Sequence, residues 1–272
     1  MKSLLYWIAV IIGFFVVKRG AGFGVALLFL LAVIAARLYT KRASILTRIA
    51  TQIYYNKEDP QKAAKLFETA YKTGEMPQKC KITYSAFCLR ENNIQKGKKL
   101  LTEVINSRFS TAEEKLGAKH NMAILLWREG NLNEAIEMLE QLHKQAPATN
   151  TYGSLGVLYL ERARESGEYE KELDFMREAY EYNDSDKTVA DNLGELYYMM
   201  GEYEKAEEVY INLMKLNFFT PMPYYNYGRV LKALGKTQEA KEIFEKALTI
   251  RFTSVMTISR EDVLKELEEL NL

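Results

Sequence analysis

The apolar and polar positions divide the chain into two uncharged apolar runs and a longer region of helical periodicity. The runs cover residues 4–17 and 23–36, and each is closed by basic residues. After about residue 44, apolar side chains recur at spacings of three and four residues, which is typical of amphipathic α-helices. The pattern predicts an all-α fold.

The second apolar run is long enough to cross a bilayer. Between Arg19 and Lys41 lie 21 residues, or ~32 Å of helix, which spans the hydrocarbon core if Arg37 extends its charge to the interface. The first run has 15 residues between Lys2 and Lys18, or ~22 Å, and spans only with local thinning or extended lysines. We expect a two-helix membrane hairpin, residues 1–42, joined by the polar, glycine-rich residues 18–22.

Two other interpretations of the first run stay open. It could be a signal peptide followed by one spanning helix, although no clean small-x-small cleavage site follows it. It could also lie at the membrane interface or re-enter the membrane.

The distribution of basic residues predicts the orientation of the hairpin. Its connector carries two basic residues, and its other side carries five: Lys2, Arg37, Lys41, Arg42 and Arg48. The positive-inside rule then places both ends of the hairpin in the cytoplasm. Because the polar segment before the first run is short and the hairpin is compact, we expect a multi-pass protein of the bacterial inner membrane. A reversed hairpin would instead place the body outside the cytoplasm.

Residues 25–56 contain neither glycine nor proline. The second membrane helix is therefore predicted to continue, without a break, into the first helix of the following region.

A period of 34 residues is visible towards the end of the chain. Glycine, alanine and aromatic positions recur in two successive units: Gly194, Tyr197, Gly201, Tyr203, Ala206 and Tyr210, then Gly228, Leu231, Gly235, Thr237, Ala240 and Phe244. Earlier units pair a small residue with a bulky one four positions later, as in Ala135 and Leu139. A fixed period of this length predicts stacked helical hairpins that bury their apolar faces against one another.

These positions resemble the tetratricopeptide repeat (TPR) family. The resemblance covers about residues 44–254 and implies a superhelical solenoid of antiparallel helix pairs over residues 43–254. Six repeats are predicted at residues 44–77, 78–115, 116–148, 149–186, 187–220 and 221–254. The fourth has four extra residues within 161–166 and places Glu172 where a small residue belongs; the second carries an extension at residues 110–114.

The last predicted element is an amphipathic capping helix within residues 255–272. It begins with the capping-box-like pair Ser259 and Asp262. Four apolar residues, Val263, Leu264, Leu267 and Leu270, are predicted to cover the open end of the repeats.

The charge distribution argues against nucleic-acid binding. The net charge of the 272 residues is +1. Residues 1–57 hold eight basic and no acidic side chains, so residues 58–272 hold 29 basic and 36 acidic side chains, a net charge of −7. A nucleic-acid binder would need a clustered basic face instead.

The residues that carry chemistry are few. His120 and His143 are the only histidines and lack ligand-spaced partners, and Cys80 and Cys88 form no C-x-x-C pair. No nucleophile elbow, phosphate-binding loop or metalloprotease motif occurs. We therefore predict no enzymatic activity, no metal, no cofactor and no small-molecule substrate.

The TPR resemblance implies a protein-binding groove on one face of the first helix of each pair. Carried onto this chain, that face presents Ile82, Leu89, His120, Ile124, Trp127, Val157, Leu160, Tyr198, Tyr225, Arg229 and Lys232, with Asp191 and Glu195 beside them. Apolar and aromatic residues fill its middle, which suits a peptide or an amphipathic helix. Packing between repeats would account for the same apolar residues.

The predicted function is a membrane-anchored TPR scaffold that binds protein partners and positions them at the cytoplasmic face. The alternative is a non-catalytic subunit of a membrane enzyme or of a transport or envelope-assembly complex. In that case the hairpin would pack against other spanning helices, with Gly13, Gly22 and Gly24 as points of close approach.

Overall fold

The computed structural model describes residues 2–57, 59–216, 218, 220–252 and 257–270, and for residues 2–5 the backbone alone. Over these residues the chain is helical and contains no strand. The helices are α1 (Lys2–Ala21), α2 (Phe23–Lys57), α3 (Pro60–Lys72), α4 (Gln78–Arg90), α5 (Ile94–Asn106), α6 (Ala112–Arg128), α7 (Leu132–Gln145), α8 (Thr149–Ser166), α9 (Glu170–Tyr182), α10 (Lys187–Met199), α11 (Tyr203–Leu213), α12 (Met222–Ala233), α13 (Thr237–Leu248) and α14 (Arg260–Leu270).

The chain divides into two compact units, Met1–Tyr84 and Ser85–Leu272. In the first unit α1 packs antiparallel to α2, because Arg37 lies over the ring of Tyr6 while Phe14 meets Phe23 at the other end. α2 is continuous over 35 residues, ~52 Å, as the absence of glycine and proline predicts. This prediction is confirmed.

The end of α2 forms a helix pair with α3. Asp59 caps α3 by accepting a hydrogen bond from the backbone N–H of Lys62, and Pro60 occupies the first helical position. Phe67 of α3 is buried and stacks on Tyr84 with ring centroids 4.9 Å apart. The residues Asp59 and Pro60 thus start a helix where later repeats use a glycine turn.

In the second unit, helices pair in sequence order: α6 with α7, α8 with α9, α10 with α11, and α12 with α13. The small and bulky residues predicted to lie between partners are all buried in this unit: Gly97, Leu101, Ala135, Leu139, Ala206, Tyr210, Ala240 and Phe244. Turn glycines, including Gly201 and Gly235 (φ 77° and 74°), take the left-handed conformation that favours glycine. Asn92, with φ 55°, takes that conformation between α4 and α5.

Two glycines let paired helices approach closely. A Cβ atom built on Gly194 would lie 2.6 Å from the Tyr210 ring, and one built on Gly228 would lie 2.5 Å from the Phe244 ring. Each ring therefore rests directly on the backbone of the preceding helix. Only glycine leaves room for this contact.

The structure corrects two predicted elements. Residues 110–114 do not extend the second repeat, because Thr111 and Glu114 form a reciprocal capping box that starts α6 at Ala112. The predicted repeat boundary between residues 115 and 116 is therefore wrong and falls inside a helix. The sequence pattern places it late because the apolar stripe of α6 becomes regular only after its first turn.

The fourth pair contains the predicted extra helical turn. α8 has 18 residues, whereas α10 has 13. Glu172, at the small-residue position, is 4% exposed. Arg162 compensates its charge, with Nε and Nη2 donating to the Glu172 carboxylate at 2.9 and 2.7 Å. Arg162 belongs to the extra turn, so the insertion and the buried glutamate fit together.

α14 packs against α13, and Ser259 and Asp262 form its predicted capping box, with N–H to carboxylate and N–H to hydroxyl distances of 2.7 and 3.2 Å. Val263 is fully buried. Leu264 is 40% exposed, which contradicts its predicted covering role, because it points off the face that packs on the preceding pair. The predicted boundary between repeats and cap, at residues 254 and 255, lies outside the described residues.

Substituting Gly228 tests the close approach of paired helices. We expect Gly228→Ala to lower the free energy of unfolding by about 1–3 kcal/mol, because the added methyl group overlaps the Phe244 ring. Urea unfolding of the full chain in detergent, followed by circular dichroism, measures this. Gly117→Ala is the matched control: it lies within α6 with open space around it, so it should be neutral or slightly stabilising. Equal effects at both positions would contradict the packing argument.

Candidate protein-binding groove

The first helices of successive pairs meet along one face of the second unit, and polar contacts join each to the next. His120 Nε2 lies 3.0 Å from Ser154 Oγ, which links α6 to α8. Glu195 accepts a hydrogen bond from Arg229 at 3.0 Å, which links α10 to α12. Both pairs are separated by 34 residues, so the period of the sequence is also the register in which the helices stack.

A cavity of about 400 Å³ opens on this face. Its lining includes both apolar or aromatic residues and charged or polar ones. Its lining residues are Trp127, Val157, Leu160, Glu161, Arg164, Asp191, Asn192, Glu195, Met222, Tyr225, Asn226, Arg229, Thr257 and Ile258.

Five of the eleven predicted groove residues line the cavity: Trp127, Val157, Leu160, Tyr225 and Arg229. α6 supplies the first, α8 the next two and α12 the last two. Leu160 is buried, and the other four are half-buried. The prediction from the helix face therefore brings residues of three helices to one cavity.

The other predicted residues lie outside the cavity lining. Tyr198 packs its ring 4.2 Å from the Arg229 guanidinium. Lys232 is engaged by α14, with its Nζ 2.7 Å from a Glu266 carboxylate oxygen, and it also pairs with Glu269. The remaining four are half-buried: His120 and Ile124 on α6, Leu89 on α4, and Ile82, which belongs to the first unit.

Glu195 is the most enclosed charge of the cavity, with 3% of its side chain exposed. Arg164 Nη2 donates to Glu195 Oε1 at 2.9 Å, and Arg229 Nη1 donates to Oε1 and Oε2 at 3.0 and 3.3 Å. Although burial opposes a charge on Arg229, Glu195 raises its pKa above the usual value, so this guanidinium stays ionised. Two arginines from different helices thus balance one buried carboxylate.

Asp191 lies one helical turn before Glu195 and has only neutral donors. Its Oδ1 accepts hydrogen bonds from Tyr210 Oη at 3.0 Å and from Asn226 Nδ2 at 3.2 Å. Burial, reinforced by the charge of Glu195, raises the pKa of Asp191 to about 7, against the opposing effects of these bonds and of Arg164. The charge of the cavity therefore changes near neutral pH.

Glu161, Arg164 and Asn226 are cavity residues that the sequence prediction missed, as are Asn192, Met222, Thr257 and Ile258. Arg164 lies on the extra turn of α8, and Glu161 directly precedes that turn. The 34-residue offset between Glu195 and Arg229 was available in the sequence and could have paired them.

No group of three metal-ligating side chains occurs in the described part of the chain. The ring of His143 packs against the ring of Tyr152, with the two centroids 4.4 Å apart.

Known proteins share this architecture. Tetratricopeptide-repeat models match residues 120–187, 189–217 and 223–253. The crystal structure of a thermophilic TPR protein from Thermus thermophilus is similar with a TM-score of 0.58 at 17% identity, over 72% of this chain and 100% of that chain. A tetratricopeptide repeat protein from Parabacteroides merdae is similar with a TM-score of 0.46 at 15% identity, over 85% and 100% of the two chains. No curated protein matches the sequence.

The stacked helix pairs and the cavity on their shared face define an all-α repeat protein of the protein-interaction class. The chain contains tetratricopeptide repeats at residues 120–187, 189–217 and 223–253, as its glycine, alanine and aromatic positions predict. Repeats of this family generally bind protein partners, and the matched models indicate no enzyme family. At 17% identity, the Thermus structure establishes the fold alone.

The raised pKa of Asp191 has a consequence for stability. Because the folded-state pKa lies above that of an unfolded aspartate, the folded protein binds an extra proton between about pH 4 and about pH 7. The contribution of protonated Asp191 to the free energy of unfolding is therefore complete below this window and is lost as the pH rises through it. We expect Asp191→Asn, which stays neutral, to gain about 2–4 kcal/mol relative to the unmodified chain across this window.

Denaturant unfolding at a series of pH values measures this difference. Asp174→Asn, on an exposed part of α9, controls for the general effect of removing one carboxylate. A constant difference between the Asp191 variant and the unmodified chain at every pH would rule out a raised pKa.

Proposed function

We propose that this protein is a membrane-anchored scaffold that binds a partner protein in the cavity face and holds it beside the membrane. In this proposal residues 1–42 form the membrane hairpin, residues 43–254 the repeats and residues 255–272 the cap. Tethering raises the local concentration of a bound partner without any chemical step.

The observation that carries the binding role is the half-buried aromatic and apolar surface of the cavity. Trp127, Val157 and Leu160 are among the residues that line it, and Ile124 lies one turn before Trp127 on α6. An apolar patch beside charged groups, in a concave site, is typical of protein-recognition surfaces.

The first unit supports the membrane role. By length and composition α2 can cross a membrane, and 6% of its most apolar 18-residue window is buried within the protein. Apolar side chains of both helices are exposed, including Phe15 at 60% and Leu28 at 66%. Such a surface is unfavourable in water and favourable in lipid.

The contacts of Arg37 support a membrane interface at this end of the hairpin. Arg37 lies over the rings of Tyr6 and Trp7, with distances to the ring centroids of 4.4 and 5.6 Å. An arginine with aromatic neighbours at the end of an apolar helix is typical of the membrane interface. The bacterial inner membrane stays a prediction.

A second candidate function is a non-catalytic subunit of a membrane complex. Space for a neighbouring helix favours it, because nothing lies within 4 Å of a Cβ atom built on Gly22 or Gly24. Gly13 is less suited to this role, since Phe29 of the same hairpin already lies 3.3 Å from such an atom. Replacing the hairpin with an unrelated two-helix anchor distinguishes the two functions, because only a scaffold would keep its activity.

Photocrosslinking tests the binding role. We expect a benzoylphenylalanine residue in place of Trp127 to capture one protein in native membranes, and Ile124→Glu to reduce the capture at least about tenfold by placing a charge beside the apolar contact. The same photoreactive residue in place of Tyr182, which is 54% exposed on α9, is the control and should not capture that protein. Crosslinks from position 127 that stay within the chain would contradict the proposed site.

Cysteine labelling tests the hairpin. With Cys80 and Cys88 replaced, Ala21→Cys at the end of α1, beside the connector, should react with an impermeant maleimide added to intact cells. Lys57→Cys, at the end of α2, should react only after permeabilisation. Labelling of both positions from the same side would exclude a hairpin that spans the membrane.

A further inference from the structure

The carboxylates of the cavity differ in how fully they are paired. Both oxygens of Glu195 accept hydrogen bonds from arginine, and Glu161 accepts one from Arg164 at 2.7 Å. Both donors to Asp191 bind the same oxygen, Oδ1. Among the described residues, Asp191 Oδ2 has no donor, and Asp191 lines the cavity. It is therefore the carboxylate whose hydrogen bonds a ligand can complete.

The arginines of the cavity are already engaged. Arg164 donates hydrogen bonds to Glu161 and Glu195. Arg229 donates to Glu195, and its guanidinium lies 4.2 Å from the centroid of the Tyr198 ring. An acidic ligand would compete with Glu195 for the same two guanidinium groups, and any arginine drawn away would leave Glu195 as a buried, unpaired charge, which is costly. The pairing thus disfavours an anionic partner.

The surrounding charge favours a cation. The cavity holds three carboxylates and two guanidinium groups. Beyond the cavity, Lys232 pairs with two carboxylates, Glu266 and Glu269, so this group of three side chains has a net negative charge. The net charge of −7 over residues 58–272 has the same sign. Electrostatic complementarity of this kind selects the class of partner.

The shape of the cavity also suits a long basic side chain. Such side chains have an apolar stem and a charged tip. Trp127, Val157 and Leu160 offer an apolar surface, and Asp191 offers the carboxylate, within a volume of about 400 Å³. A lysine or arginine can contact both kinds of group at once.

We propose that the cavity receives one lysine or arginine side chain from the partner protein, with its charged tip on Asp191 Oδ2 and its stem against Trp127 and Leu160. This inference rests on the proposed protein-binding function and names the class of segment that is bound. It also assigns Asp191 the role of selecting a basic segment.

The charge state of Asp191 supports this assignment. The groups that face it are Glu195 on its own helix, Glu161 and Arg164 on α8, Tyr210 on α11, and Asn226 and Arg229 on α12. Because its pKa is about 7, a bound cation would favour the ionised form and release a proton near neutral pH. Affinity for a basic segment should rise as the pH increases through this value.

Selection from a phage library of short random peptides tests the proposal, with the full chain held in nanodiscs. We expect peptides bound by the unmodified chain to be enriched several-fold in lysine or arginine at one position beside apolar residues. Asp191→Asn should abolish this enrichment and weaken the best synthetic peptide at least about tenfold. Asparagine keeps the acceptor for Tyr210, so the variant should fold, and its thermal unfolding verifies this.

Glu165→Gln is the matched control, since Glu165 is exposed on α8 outside the cavity lining. It should leave the enrichment unchanged. Selected peptides without basic enrichment would overturn the inference and leave the proposed function standing. Basic peptides selected equally by Asp191→Asn would assign the attraction to the general charge of the body and would also overturn it. Failure of every form to select peptides would contradict protein binding itself.

Discussion

The close approach of an aromatic ring to a glycine backbone is the contact on which the repeat structure depends. Tyr210 rests on Gly194, and Phe244 rests on Gly228, with no room for a Cβ atom between them. The contact sets the distance between the helices of these two pairs. Because the two pairs share this contact, their first helices, α10 and α12, stack in the register of the repeat. That register brings Glu195 and Arg229, 34 residues apart, within hydrogen-bonding distance.

The extra turn of α8 converts this regular stack into a distinctive site. It supplies Arg162, which compensates the buried Glu172, and it supplies Arg164, which reaches Glu195 on the next helix. Glu161, directly before this turn, also lines the cavity. A 13-residue helix such as α10, begun at Thr149, would end at Glu161 and would contain neither arginine. The insertion therefore stabilises an irregular pair and supplies one of the two arginines of the cavity.

The sequence predicts the regular parts of the structure well. Period, turn glycines and small-residue positions are set by local packing, so they reveal the helix pairs, and the helix-face rule finds Trp127 and Arg229 at the cavity. The remaining contacts of the cavity depend on how residues far apart in the sequence are aligned when the helices stack. Arg164 meets Glu195 only through the inserted turn, and Ile258 lines the cavity through an irregular segment. No periodic pattern encodes either contact. For the same reason α14, rather than a partner, engages Lys232.

Asp191 and Glu195 show how the stack treats two acids one helical turn apart. Like charges at this spacing repel each other, and burial increases the cost. Both arginines within reach bind Glu195, which is the more enclosed of the two. Asp191 is left with an amide and a phenol, which can hold its oxygen but cannot balance its charge. Arginines of the stacked helices thus neutralise the charge of Glu195. The charge of Asp191 depends instead on the pH and on the groups that enter the cavity.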